Sequence, residues 1–323
     1  MRDLSIDVIK IVAMFSVILL HTSVSFESLD SYIIANTMKT CGLMAVPLFF
    51  MVSGYLMLGK KDISYRYVFR KIYSILRYVI CFSFLYWLIF SIKNWDFNII
   101  SLIKGSFLSL FNRGFFPWFW YFGAISIIYF LLPILNYIYV KDFNGGGNML
   151  IGTLLITQFL IFQYAANIHM DNMGINITFK IYNWLTFFWI GGIIKHYNLK
   201  SRNWFFLVLL LIVNIFFQNL EKGYLPQTEF LYASLPLLLL VITIFTFIKS
   251  LEYSLDNKWI KELSKLFLLV YSIHLIIMKY IPNHLFGENI FSPLLYFIVI
   301  SVISVGCSSI LVRIPYLNKI LTL

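Results

Sequence analysis

Long apolar runs recur along the chain, separated by short polar stretches. Ten are legible, at about 8–26, 41–58, 74–92, 118–140, 149–166, 180–195, 203–219, 230–248, 264–281 and 292–312. A membrane-spanning helix needs roughly 17–25 mostly apolar residues, so several of these runs sit near the lower limit. Within hydrocarbon each backbone N–H and C=O must be paired inside the protein, which makes helix the form each run is predicted to take. The pattern predicts an all-α, polytopic membrane helix bundle of about ten transmembrane helices. The polar stretches between the runs are loops, so residues 1–323 are expected to form a single membrane domain. Segment 93–117 (KNWDFNIISLIKGSFLSLFNRGFFP) breaks the rhythm. It is amphipathic and too polar to span, and is expected to lie at the interface or fold back against the bundle.

Composition agrees. Of the 323 residues 60% are hydrophobic and 12% charged, with mean hydropathy +0.84; a soluble domain carries about twice that share of charge. Charge then orients the bundle. With the N-terminus in the cytoplasm and the helices alternating, 18 of 25 Lys and Arg fall on the cytoplasmic side, while the 14 acidic residues divide evenly. That bias, carried by Lys and Arg alone, places both termini in the cytoplasm. The net charge of +11 is thus read as topology and contact with anionic membrane lipids, not as nucleic-acid binding. The first helix is expected to be retained, because Asp3 and Asp7 stand where a signal peptide would be basic and no small-x-small cleavage pattern follows. Cys41, Cys81 and Cys307 are odd in number and lack C-x-x-C spacing, which argues against a disulfide framework or a zinc site.

A few ionisable residues sit inside the apolar runs, where they are costly and by default functional. Lys10 and His21 share the first helix, separated by ten uncharged residues. Three turns, about 16 Å, part them along the axis, and they point to nearly the same side. A neutral imidazole can accept a proton from a hydroxyl nucleophile; it can equally be an interhelical hydrogen-bonding group, and both roles are open for His21. Lys10 lies three residues after Asp7, within reach of an ion pair. It is read either as a snorkelling cation or as an anchor for an anionic group arriving from the cytoplasm.

A second cluster comprises Lys60, Lys61, Arg66, Arg70, Lys71 and Arg77. Arg70 and Arg77 are seven apart and share a helix face, and arginine forks suit phosphate oxygens. On the helix of residues 264–281, Tyr271 and His274 are three apart and can meet on one side. Trp118 and Trp120 are read as interfacial anchors or as a platform for a sugar face. No paired broken helices mark an inverted-repeat transporter. The glycines at 145–147 lack the strand-to-helix context of a phosphate loop.

Taken together, four segments resemble the acyltransferase-3 family of integral-membrane acyltransferases. These are Asp7-x-x-Lys10 followed by ten residues and His21; Ala45-Val-Pro-Leu-Phe-Phe-Met-Val-Ser53-Gly54-Tyr55; Trp120 followed by Tyr129 and Pro133; and Ser264 through Tyr271 to His274. The end of the helix at Gly191-Gly192 also fits. They span residue 3 to about 280 in the family's order, and the likeness is to members without a fused soluble domain. Lys10 stands where the family usually has Arg, and Phe267 and Leu269 replace the small residues expected before Tyr271.

The resemblance implies transfer of an acyl group, usually acetyl from cytoplasmic acetyl-CoA, to a sugar hydroxyl of a cell-envelope glycan or lipid-linked sugar, in the bacterial inner membrane. It implies His21 as the catalytic base, with Lys10, Arg70 and Arg77 toward the acyl-CoA phosphates. Ser53, Tyr55, Trp120, Tyr271 and His274 then line the substrate path, and no metal is called for. Two other readings stay open: a transporter or flippase for a lipid-linked glycan or small solute, and an inactive member that assists envelope assembly.

Overall fold

The computed structural model describes residues 3–26, 32–95, 97–141, 145–169, 176–221, 234–251, 253, 257–287 and 289–314. Among them the regular structure is helical. The helices are α1 (Leu4–Val24), α2 (Tyr32–Leu43), α3 (Ala45–Met57), α4 (Tyr65–Asn94), α5 (Ile99–Ser109), α6 (Trp120–Lys141), α7 (Gly147–His169), α8 (Ile181–His196), α9 (Trp204–Glu221), α10 (Leu235–Ser250), α11 (Lys258–Lys265), α12 (Phe267–Tyr280) and α13 (Ser292–Leu311). Short 3-10 turns lie at Pro117–Phe119, Ile177–Phe179 and Asn283–Phe286.

Five stretches among the described residues are long and apolar enough to cross a membrane: Leu4–Val24, Ile34–Met57, Tyr65–Asn94, Pro117–Lys141 and Ser292–Leu311. The other expected runs are not among these five, and two of the ten expected runs, 41–58 and 264–281, are interrupted. α2 and α3 are parted at Met44, three residues before Pro47. Pro47 has no N–H to donate back one turn, and its ring crowds the carbonyl there, so the helix resets just upstream. The run 264–281 is cut at Leu266 into the polar α11 and the apolar α12. Segment 93–117 takes the second of its two expected forms. α5 packs on α4, and the chain turns back through Asn112 and Gly114, both at positive φ, to bury Phe116 beneath Ser109, whose hydroxyl accepts from the Phe116 N–H at 3.1 Å.

Helix α1 runs through the middle, against α2, α3, α10, α11, α12 and α13. The closest crossing joins α3 to α8 through glycine. A Cβ on Gly54 would lie 1.7 Å from the Phe188 carbonyl oxygen, and one on Gly191 would lie 2.0 Å from that of Met51. Two backbones in contact gain dispersion that lipid cannot supply, the usual basis of association between membrane helices. Helix α4 shows its two faces plainly: Val68, Ile75, Tyr78 and Phe82 are buried, whereas Phe69, Tyr73, Ile80 and Phe84 face outward.

Polar contacts tie the ends of several helices into one basic rim. Lys195 Nζ donates to the Leu58 carbonyl at 2.7 Å, and Asn136 holds the turn after α3, donating to Lys60 O at 3.0 Å and accepting from Gly59 N at 2.7 Å. Lys249 Nζ donates to Asp3 Oδ2 at 2.6 Å, and the Tyr55 hydroxyl donates to the same oxygen at 3.3 Å. Lys60, Lys195 and Lys249 thus meet the turns and helix ends of α1, α3 and α8.

Asp3 also caps α1, accepting from Ser5 N at 3.1 Å. Burial pushes its carboxyl pKa up, but the bonds from Lys249 and Ser5 and the Lys249 charge outweigh that and hold it below the usual 3.8. A depressed carboxylate stabilises the fold above its unfolded pKa and loses that contribution as pH falls through the lower folded value. Asp3→Asn, which keeps the cap oxygen and removes the charge, is expected to cost up to about 1 kcal/mol at neutral pH. The difference from the unmodified chain should close below pH 3.8, as checked by thermal unfolding in detergent across pH.

Candidate functional site

Two features define the site, a cavity of mixed lining toward the basic rim and a pair of histidines deeper in the bundle. The cavity, about 150 Å³ in volume, lies between α1, α3, α4, α6 and α12. Its polar groups come from Lys10, Ser53, Lys71, Ser74, Tyr121 and Tyr129. Lys10 is held on two sides: its Nζ lies 3.9 Å from the carboxylate of Asp7, itself 3% exposed, and 5.6 Å from the centre of the Phe267 ring. The Tyr121 and Tyr129 phenols both interact with the Ser53 side chain. The lining therefore carries two lysines and a group of hydroxyls, a combination suited to an anionic or carbonyl-bearing ligand.

Deeper along the seam of α1 and α12, His21 and His274 lie with ring centroids 5.2 Å apart and planes tilted by 39°. The sequence placed each on its own helix; the fold makes them a pair. His274 is fully buried, and its Nδ1 lies 3.2 Å from the Val270 carbonyl. A carbonyl only accepts, so that nitrogen carries the proton and Nε2 presents a bare lone pair. Nε2 has no hydrogen-bond partner among the described residues. His21 keeps some exposed surface. The pair thus offers one imidazole of set tautomer beside another that is only partly buried, an arrangement suited to moving a proton.

Tyr271 lies between the two features. Its ring centroid is 6.2 Å from that of His274 and 6.0 Å from that of Tyr121. The Tyr271 hydroxyl donates to the Trp118 carbonyl, and the Trp118 indole N–H donates to Ser272 O at 3.3 Å. Tyr78 adds a 2.7 Å hydrogen bond to the Ser272 hydroxyl, so α12 is fixed from two sides.

The remaining expected residues lie elsewhere. Arg70 is exposed, its Nε 3.4 Å from the Arg66 carbonyl, and Arg77 sits further along α4, half-buried and near Cys81. The cation that α4 sends into the cavity is Lys71, which falls with Val68, Ile75 and Tyr78 on the buried stripe of that helix; the three-and-four spacing that carries this was readable in the chain. Tyr55 belongs to the Asp3–Lys249 cluster at the rim, with Lys249 Nζ 4.9 Å from its ring centre. Trp120 is 8% exposed and packs on Trp184 at 5.1 Å. The family-like run ending Ser53-Gly54-Tyr55 thus has three separate duties: cavity wall, helix crossing and rim cluster. Among the described residues no three His, Cys, Asp or Glu side chains gather as metal ligands.

These features, a helix bundle with an imidazole pair and a cavity lined in part by lysines, stand beside a family match. The chain matches the acyltransferase domain family (acyltransferase-3) over residues 3–313, nearly its whole length, and belongs to that family. It matches no curated protein and no solved structure.

Proposed function

We propose that the chain is a multi-pass inner-membrane O-acyltransferase that takes an acyl group, acetyl by preference, from cytoplasmic acetyl-CoA and delivers it to a sugar hydroxyl of an envelope polysaccharide or lipid-linked glycan. The enterobacterial common antigen O-acetyltransferase is the kind of enzyme meant. The observation that carries this reading is the His21–His274 pair, 5.2 Å between centroids, placed inside the bundle on the same seam as Lys10. Buried imidazoles beside a cationic cavity answer the needs of acyl transfer, which are a base for the attacking hydroxyl and a pocket that limits water.

The donor enters from the basic rim, which the positive-inside bias assigns to the cytoplasm. A cavity of about 150 Å³ is smaller than the roughly 300–1,000 Å³ of pockets that enclose drug-sized ligands. It suits the thioester end of the donor, with the nucleotide left outside near Arg70 and the other rim cations. Lys10 and Lys71 offer ammonium groups to phosphate or carbonyl oxygen, and Ser53 presents hydroxyl to the arm; Arg77 adds positive charge further along α4. His21 takes the proton from the acceptor hydroxyl as its oxygen bonds to the acyl carbon. The C–S bond breaks, and the proton passes on to the departing thiolate.

Lys71→Gln tests the donor side. A charged hydrogen bond lost on binding is expected to raise the KM for acetyl-CoA roughly tenfold, with kcat within a few-fold. Labelled acetyl-CoA supplied to membrane vesicles reads both constants. A KM unmoved in Lys71→Gln and also in Lys10→Gln would place the donor elsewhere.

A further inference from the structure

Resting on this acyl-transfer reading, we infer that Tyr271 is a partition that separates the donor cavity from the histidine pair and couples thioester cleavage to the arrival of the acceptor. The cavity wall ends at Tyr121, Phe122 and Leu268. Immediately behind it stands the Tyr271 ring, 5% exposed, with centroids 6.1 Å from Phe49, 6.0 Å from Tyr121 and 5.8 Å from Phe122. Its other neighbour is His274, at 6.2 Å, which leads to His21. The Tyr271 ring therefore stands between aromatic residues of the cavity lining and the imidazole of His274.

The ring is also latched. Its hydroxyl donates to the Trp118 carbonyl, and the return bond from the Trp118 indole to Ser272 O ties the next residue of α12 to the same turn at Pro117–Phe119. The latch binds α12 to the Pro117–Phe119 turn, and in this scheme the acceptor seats at that turn. An acceptor that engages this turn therefore bears on the latch, and release of the hydroxyl frees the ring to swing and let the thioester meet His21.

Chemistry gives the partition a purpose. His21 as a base does not distinguish a sugar hydroxyl from water. With the alcohol, its oxygen bonds to the acetyl carbon, the C–S bond breaks with the electron pair on sulfur, and the proton goes by way of the imidazole to the thiolate. With water the same steps yield acetate and the CoA thiol, and the donor is wasted. Keeping the thioester apart from the half-open histidine until an acceptor is seated suppresses that reaction.

The test measures acetate release and acetyl transfer together, in membrane vesicles from producing cells that supply their own glycan, with labelled acetyl-CoA as probe. Tyr271→Ala is expected to raise the ratio of acetate release to transfer by roughly tenfold or more. The added release should vanish when His21→Ala is combined with it. Tyr271→Phe keeps the ring but removes the latch, so its ratio should also rise, by roughly the fivefold that one hydrogen bond is worth and short of the alanine variant. Tyr271→Leu, a gentler truncation, should fall between and guards against a folding defect in the alanine variant. If release and transfer fall together at a constant ratio in both Ala and Leu variants, Tyr271 is a packing residue and the partition is overturned while acyl transfer stands. If the unmodified chain consumes no acetyl-CoA, the acyl-transfer reading fails and the partition with it.

Discussion

His21→Ala is expected to lower acetyl transfer by about 10²–10⁴-fold, the usual worth of a positioned general base, while the protein still inserts and accumulates. The two effects separate because His21 is not sealed into the core. It sits in the last turn of α1 with surface still open, so truncation removes the reactive group without exposing a packed interior. His274→Ala is a harsher change. That ring is fully buried, and its Nδ1 is satisfied by Val270 within its own helix. Its loss should cut transfer and also lower thermal stability by the roughly 2–5 kcal/mol of a large core truncation. The comparison is therefore diagnostic: His21 acts on rate alone, His274 on rate and fold. Labelled acetyl incorporation beside a detergent melting curve reads both. A His21→Ala protein that transfers at the unmodified rate would remove the imidazole pair from the chemistry.

Gly54→Leu is expected to prevent folding. Even the Cβ alone would stand 1.7 Å from the Phe188 carbonyl oxygen, and that atom is backbone, so no side chain can turn aside to admit it. α3 and α8 would have to separate along their closest crossing, well beyond the roughly 1–3 kcal/mol of ordinary overpacking. The matching crossing at Gly191 would open with it. Gly306 on α13 makes the control, since a Cβ there meets nothing within 4 Å; Gly306→Ala should be tolerated. Yield of monodisperse protein after mild detergent extraction separates the two. Wild-type yield from Gly54→Leu would contradict the packing described for α3 and α8.

Much of this was legible in the chain, for stated reasons. Apolar length reports helices, because hydrocarbon leaves the backbone no other partner. It does not report where a helix is cut. Pro47 marks the break at Met44, whereas at Leu266 only the change from the polar Lys258–Lys265 to the apolar Phe267–Tyr280 hints at one, with no proline or glycine to fix it. Lys10 and His21 were visible because charge at that depth is costly. Their surroundings were not: that His21 meets His274 depends on α1 and α12 packing side by side, a contact between residues some 250 apart in sequence. Lys71 was hidden in plain view among six cations, since a positive-inside bias and an inward-pointing lysine read alike until the stripe of Val68, Ile75 and Tyr78 is counted. Trp120 is a case where packing was hidden from the sequence. An aromatic near a helix start suggests a membrane interface, and only the approach of Trp184 shows that it packs inside.

The most direct measurement is mass spectrometry of surface polysaccharide from cells lacking this chain, complemented either with the unmodified protein or with His21→Ala at equal membrane level. The account predicts that an acetyl mass on sugar hydroxyls disappears with the chain, returns with the unmodified protein and stays absent with the variant. A glycan carrying the same acyl groups in all three cells would contradict it.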